Sequence, residues 1–570
     1  MGALDKKRAM LLSSQTDVES QNLGAIGTAV EKRLAAWCKD DYCKRMWAKD
    51  FTLWSAKPVP EITDRLGWLH LPETMHTHVQ DLTQLREQIK KEGFTHAVLL
   101  GMGGSSLAPK VFQETFGNGK GYPELIVLDS THPAAVMAVE KSIDLAHTLF
   151  IVSSKSGTTT EMLSFFYYFW EKVRAINKTS GTQFVAITDP GTPLEKLGHN
   201  RSFRHVCTAT PDVGGRYSAL THFGLVPAAV IGVDLNRLLD RAWTMEEACT
   251  FCVPDKQNPG LQLGAVLGES TLAGRDKVTF LASKSLAAFP TWLEQLIAES
   301  TGKDDKGIVP VADEAPGAPG VYGSDRLFVY LHMDGDSDGA LQKQVSALET
   351  AGHPIVRFTL SETADIGQEF FRWEVGIAAA GSVIGIQPFN QPDVQLAKDL
   401  ARQAMKKTSA EGGGAPASSQ GRQPVPAANA GELKHSVDAW LSTARQGDYI
   451  GLDAYLAPTA ETSAALENIR TILRNRTKLA TMLGYCPRFL HSTGQLHKGG
   501  PNTGLFLQIL DEPAEDLAVP ETDYTFATLI RAQAQGDFGA LEQRGRRTLR
   551  VQLGRDVAGG LRQIAEVLRG

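Results

Sequence analysis

The sequence predicts an α/β protein built on parallel sheets, and three observations carry that prediction. Short apolar runs recur at intervals that leave room for a turn and an amphipathic stretch between them. The cadence occurs twice, over 97–189 and again over 278–360. Two of the intervening turns are crowded with glycine or hydroxyl residues, the composition of strand-to-helix turns that face an anion.

In order along the chain, residues 1–90 read as a helical segment with several tryptophans. A first α/β unit, 91–240, follows, with strand candidates AVLL (97–100), ELIVLD (124–129), TLFIVS (148–153) and FVAITD (184–189). A second, 241–400, carries VTFLAS (278–283), GIVPVA (307–312), LFVYLH (327–332) and PIVRFTL (354–360). Residues 401–435 are rich in Gly, Ala, Pro and Ser, have little to bury, and are expected to be a flexible linker. The last segment, 436–570, reads as a helix-rich extension with one strand candidate, GLFLQIL (504–510).

At 570 residues with a net charge of −6 and no basic block, the chain offers nucleic acid no electrostatic footprint. A phosphate ligand must therefore be held by a local pocket. The longest apolar run, LVPAAVIGV (225–233), falls far short of the roughly 20 residues a membrane span needs. The start, MGALDKKRAMLLSS, lacks the apolar core of a signal peptide, and Lys6 stands where a myristoylation signal wants Ser or Thr. Cysteines are few and scattered, as in a reducing compartment. These features predict a soluble cytoplasmic protein. Cys249 and Cys252 form a lone CxxC without a second pair, and DGDSDG (334–339) lacks a calcium-loop carboxylate at its twelfth position, Val345, so no metal is expected.

Chemistry concentrates in five places. GMGGSSLAPK (101–110) follows a strand candidate; Gly103, Gly104 and Ser105 let backbone amides approach an anion, although the spacing is neither a Rossmann fingerprint nor a Walker loop. VSSKSGTTTEM (152–162) also joins a strand to an amphipathic stretch. Its Ser154, Ser156, Thr158 and Thr159, with Lys155 among them, crowd a helix start where capping needs only one hydroxyl, which makes a phosphate site the better reading. VGGRYS (213–218) frees the backbone beside Arg216. WLEQLIAESTGK (292–303) places Glu299 near the end of an apolar helix face, where a carboxylate can serve as a base. Finally, FLHSTGQLHKGG (489–500) holds His491 and His497, six apart and so not a helical metal pair; one of the two suits acid–base work.

Together these motifs resemble the phosphoglucose isomerase family. GMGGSSLAP is similar to that family's GIGGSxLGP turn, SKSGTTTE to its SKTFTTxET loop, GGRYS to GGRxS, QLIAESTGK to QxxxESNGK, and QPFNQPDVQLAK (387–398) to FDQxxxExGK. FFRWE (370–374) and FLHSTGQLHKGGPN (489–502) further resemble the isomerase half of bifunctional transaldolase/isomerase chains, although no segment remains that could form a transaldolase barrel.

The resemblance implies two sugar-isomerase domains, each a parallel sheet flanked by helices, with helical extensions at both ends. It implies reversible isomerisation of glucose 6-phosphate and fructose 6-phosphate through a cis-enediol, as in glycolysis and gluconeogenesis, by a cofactor-free homodimer. Broader action on mannose 6-phosphate, or a non-catalytic sugar-phosphate sensor, are the alternatives. Carried to matching positions, Glu299 is the base, Arg216 stabilises the enediolate, and Lys398 with a histidine opens the ring. Ser105, Ser154, Ser156, Thr158 and Thr159 hold the phosphate, with Gln295 and Gln391 assisting. The family's histidine normally precedes the lysine, but here the comparable motif follows it, so His491 takes the role. Gly157 replaces an aromatic of the phosphate loop and Met162 a threonine.

Overall fold

The structure, a computed structural model, describes residues 23–410 and 423–570. The amino-terminal stretch read for leader signals lies outside the described residues.

Residues 23–92 form helices and tight turns, chiefly Ala25–Lys39 and Val79–Glu92. The first sheet follows, from β1 (His96–Leu100), β2 (Glu124–Leu128), β3 (Thr148–Ser153), β4 (Phe184–Thr188) and β5 (His205–Thr208). All its pairs are parallel, in the order β2-β1-β3-β4-β5. Successive residues of β1 point into two cores. Ala97 and Leu99 join the large cluster shared with the amino-terminal helices, whereas Val98 and Leu100 pack with Phe150, Phe165 and Phe169 beneath the helix Thr160–Ile176. Burial on both faces is what the continuous apolar runs of a parallel sheet require. The edge strand β5 escapes sequence reading because HVCT is short and largely exposed.

The second sheet has β6 (Lys277–Ala282), β7 (Val309–Val311), β8 (Arg326–Met333) and β9 (Ile355–Leu360), parallel in the order β7-β6-β8-β9.

The carboxy-terminal segment differs from expectation. Instead of helices around one strand it contains β11 (Tyr449–Tyr455), β12 (Ala480–Tyr485), β13 (Gly504–Leu510) and β14 (Arg547–Gln552). With β10 (Val425–Pro426) they make a third parallel sheet, ordered β10-β14-β13-β11-β12, with its own core. Gly451 and Asp453 interrupt the apolar run of β11, and arginines alternate with Leu549 in β14, which hides the strand signal. The linker expectation also narrows. Residues 401–410 complete the helix Val394–Ala410, β10 and the helix Ala430–Leu441 occupy its other end, and 411–422 lie outside the described residues. Among the described residues no helix is long and apolar enough to cross a membrane.

Candidate active site

The strand order of the first sheet places the site. From β1 the chain moves to β2 on one side and then to β3 on the other, so the turns after β1 and β3 diverge from adjacent strand ends. A crevice at such a reversal is where open parallel sheets hold ligands. The turn after β1 contains Gly103–Ser105, and the turn after β3 contains Ser154–Thr159.

Contact, rather than anion approach alone, demands the first turn's glycines. Gly103 has a φ of 53°, and a Cβ there would lie 2.5 Å from the His491 carbonyl oxygen and 3.1 Å from Gln295 Nε2. A Cβ on Gly104 would lie 2.2 Å from the Gly215 carbonyl oxygen. These two positions let the segments bearing His491 and Arg216 close on the sheet. Ser105, beside them, is buried.

In the second turn the hydroxyls pair with one another. The Ser154 and Thr159 hydroxyls are 2.8 Å apart, those of Ser156 and Thr158 3.0 Å, and the Gly157 amide donates to Ser154 Oγ at 3.1 Å. Thr159 is the N-cap of Thr160–Ile176, yet no side chain caps that helix, so its hydroxyl is committed to the loop. Gly157 has a φ of 66° and abuts Leu194, which explains why no aromatic stands there. Lys155 leaves the cluster: its Nζ donates to Asp189 Oδ2 at 2.5 Å and to the Pro211 carbonyl at 3.2 Å. Burial pushes its ammonium below the usual lysine range while Asp189 opposes that. Expected among the ligand-binding residues, Lys155 instead braces the loop from behind.

Ser156, Thr158 and Thr159 border a cavity of about 290 Å3 that Glu161, Lys398, His491 and Gln533 also line. That volume is near the low end of small-molecule sites, about 300–1,000 Å3.

Glu299 and Arg216 meet. Glu299 is in the last turn of the helix Phe289–Thr301, and its Oε1 lies 3.4 Å from Arg216 Nη1. The guanidinium is fully buried and donates to Ser300 Oγ at 2.7 Å, Gln391 Oε1 at 2.9 Å, and the Pro388 and Asn390 carbonyls at 2.6 and 3.1 Å. A cation held by four acceptors need not reorganise when negative charge develops nearby. Gln391, expected toward the phosphate, thus positions the arginine. Gln295, expected there as well, donates from Nε2 to Glu299 Oε2 at 3.0 Å and to the His491 carbonyl at 2.9 Å, tying the carboxylate to the histidine segment.

His491 lines the cavity. Its Nε2 is 2.9 Å from Glu161 Oε1, which also accepts from Gln533 Nε2 at 2.5 Å; Thr131 in turn donates to Gln533 Oε1 at 2.8 Å. Burial alone would raise the Glu161 carboxyl, but the charge and hydrogen bond of His491, with Lys398 beyond, hold it at about 2. His497 is elsewhere, packed against Phe506 with ring centroids 4.7 Å apart, where burial keeps its imidazole well below the usual range. The cavity therefore receives His491 and not His497.

The model of the phosphoglucose isomerase family matches residues 73–325. The chain is similar to phosphoglucose isomerases. Glucose-6-phosphate isomerase of Prochlorococcus marinus is 28% identical over 393 residues, covering 61% of this chain and 73% of that protein. That of Rubrobacter xylanophilus is 27% identical over 393 residues, covering 60% and 89%. Among solved structures, a hypothetical protein from Thermus thermophilus superposes with a TM-score of 0.60 at 24% identity, over 68% of this chain and 99% of that one. A glucose-6-phosphate isomerase from Chlamydia trachomatis gives 0.55 at 19% identity, over 72% and 97%. At these identities the two structures establish likeness of fold alone.

Sequence reading missed Glu161 and Gln533. Glu161 closes the hydroxyl motif itself, but a glutamate in a first helical turn is already explained by the helix dipole. Gln533 is more than 350 residues away in sequence, and no local signal marks it.

Proposed function

We propose that this protein interconverts glucose 6-phosphate and fructose 6-phosphate by moving a proton between C1 and C2 through a cis-enediol. The observation that carries the reading is the convergence of Glu299 on Arg216, 3.4 Å apart, with Gln295 tying Glu299 to the backbone of His491, which lines the cavity bordered by the hydroxyl loop. Glu299 removes the proton next to the carbonyl, and Arg216 meets the charge that appears on the enediolate oxygen. His491, oriented by Glu161, opens and closes the sugar ring with Lys398. Ser156, Thr158 and Thr159 grip the phosphate with the uncapped helix start behind them. The protein works as a cytoplasmic homodimer; the motif resemblance supports this, as it supports kinship with the isomerase half of bifunctional transaldolase chains. One test follows the C2 hydrogen of glucose 6-phosphate by NMR in deuterated water. The wild type incorporates deuterium and forms fructose 6-phosphate, whereas Glu299→Gln does neither; full turnover in Glu299→Gln refutes the assignment.

A further inference from the structure

Outside the lining of the cavity, the helix Leu71–Met75 packs against the helix Leu235–Ala248, and three metal-ligating side chains meet there. His70, Glu73 and Glu246 each bring one ligand atom, and these atoms lie within 4.8 Å of one another. His70 Nδ1 is 4.0 Å from Glu246 Oε1.

Glu246 makes this more than a surface cluster. Its residue is only 4% exposed, and its Oε2 is buried without a hydrogen-bond partner. A buried carboxylate oxygen left unmatched costs about 1–3 kcal/mol or more. Its position makes matters worse. It belongs to the last turn of its helix, where the backbone carbonyls already concentrate negative charge, and that turn has no basic residue. Two carboxylates and one imidazole thus meet at a helix end whose last turn carries no basic residue.

We propose that His70, Glu73 and Glu246 bind a divalent transition-metal ion of the zinc class, which clamps the amino-terminal helical segment to the helix Leu235–Ala248. One imidazole and two carboxylates are a borderline donor set that suits Zn2+ better than Mg2+ or Ca2+, which take oxygen alone. In a tetrahedral zinc site, bonds of about 2.0–2.2 Å bring ligand atoms to about 3.3–3.5 Å from one another. The three donors must therefore close by about 1 Å. Glu73 is exposed and the His70 side chain is 45% exposed, so both are free to turn toward the buried anchor Glu246. That open side leaves the fourth position to water. His70 is steadied by the edge of Trp47, at 5.2 Å between ring centroids.

The test uses the full chain, stripped with chelator and titrated with Zn2+ by calorimetry while Tm is followed in parallel. The wild type takes up one saturable equivalent and its Tm rises. Glu246→Gln loses that equivalent and its Tm no longer responds, even though removal of the buried charge leaves it folded. Glu73→Gln, at an exposed position, binds at least ten-fold more weakly. Replacing the exposed thiols, Cys38→Ser with Cys252→Ser, leaves binding unchanged. Zinc uptake that survives in Glu246→Gln, or that disappears with the two thiols, overturns the proposal, as does the absence of saturable binding to the wild type.

Discussion

Replacing Glu161 by glutamine should separate ring opening from proton transfer. The carboxylate is buried, 2.9 Å from His491 Nε2, and is held at about 2 against an ordinary value of 4.5. That lowering corresponds to about 3 kcal/mol of preference for the ionised form beside its partners. A hydrogen bond to a charged group contributes about 1.5–3 kcal/mol, so withdrawing the carboxylate's charge should loosen the hold on the His491 imidazole by on the order of 2–3 kcal/mol. The amide still accepts a hydrogen bond, and geometry is preserved. Ring opening should therefore slow about 30- to 150-fold. Exchange NMR between the α and β anomers of glucose 6-phosphate reads that step directly, because anomers interconvert through the open chain without any transfer from carbon. In Glu161→Gln, anomer exchange and isomerisation should fall together. In Glu299→Gln, exchange should persist while isomerisation stops. Intact anomer exchange in Glu161→Gln, or its loss in Glu299→Gln, refutes the division of labour.

Arg216→Ala should lower kcat by 10²–10³, about 3–4 kcal/mol, with a smaller change in KM, as steady-state assays would show. Gly104→Ala forces a methyl to within 2.2 Å of the Gly215 carbonyl oxygen; it should cost about 1–3 kcal/mol of stability by denaturant titration and depress kcat by displacing Arg216. Ser154→Ala with Thr159→Ala removes the 2.8 Å hydroxyl pair and should weaken competition by inorganic phosphate and phosphorylated sugars at least ten-fold, without lowering Tm by more than a few degrees. Glu294 is a buried carboxyl pushed up to about 8 by burial, with Arg488 opposing and Asp313 adding. Its contribution to stability is present below the unfolded value near 4.5 and is lost as pH rises through 8. The fall in Tm between pH 5 and pH 8 should accordingly be smaller in Glu294→Gln than in the wild type.

What could be read from the sequence follows from burial. β1, β3 and β4 are covered on both faces, so their apolar runs are unbroken and their turns stand out. β11 carries the buried Asp453 within the strand, and β12 and β14 mix polar with apolar positions, so period alone does not distinguish them from loop or helix. The same limit applies to the site. Glu299 and Arg216 announce themselves through local surroundings, a helix end and a glycine pair. Lys155 shares the composition of a phosphate loop, but its ammonium pairs with Asp189, which follows β4, a partner that no local pattern announces. Chemistry could be read residue by residue; direction required the fold.

The third sheet changes how the site must be understood. His491 follows β12, and Gln533 belongs to the helix Phe526–Gln543 that precedes β14. Glu161, which both of them contact, belongs to the first sheet's helix. The Phe526–Gln543 helix also packs so tightly on Val394–Ala410, the helix of Lys398, that a Cβ on Gly536 would lie 2.5 Å from the Ala401 amide nitrogen. Phe526 joins the aromatic core of the first sheet. A single helix thus fixes the separation of His491, Glu161 and Lys398, while Gln295 ties that group to Glu299 through the His491 carbonyl. The groups proposed for ring opening and for proton transfer are therefore coupled through docking of the third unit. Loosening that dock, for instance with a bulkier residue at Gly536, should impair both steps while leaving the Arg216–Glu299 contact in place.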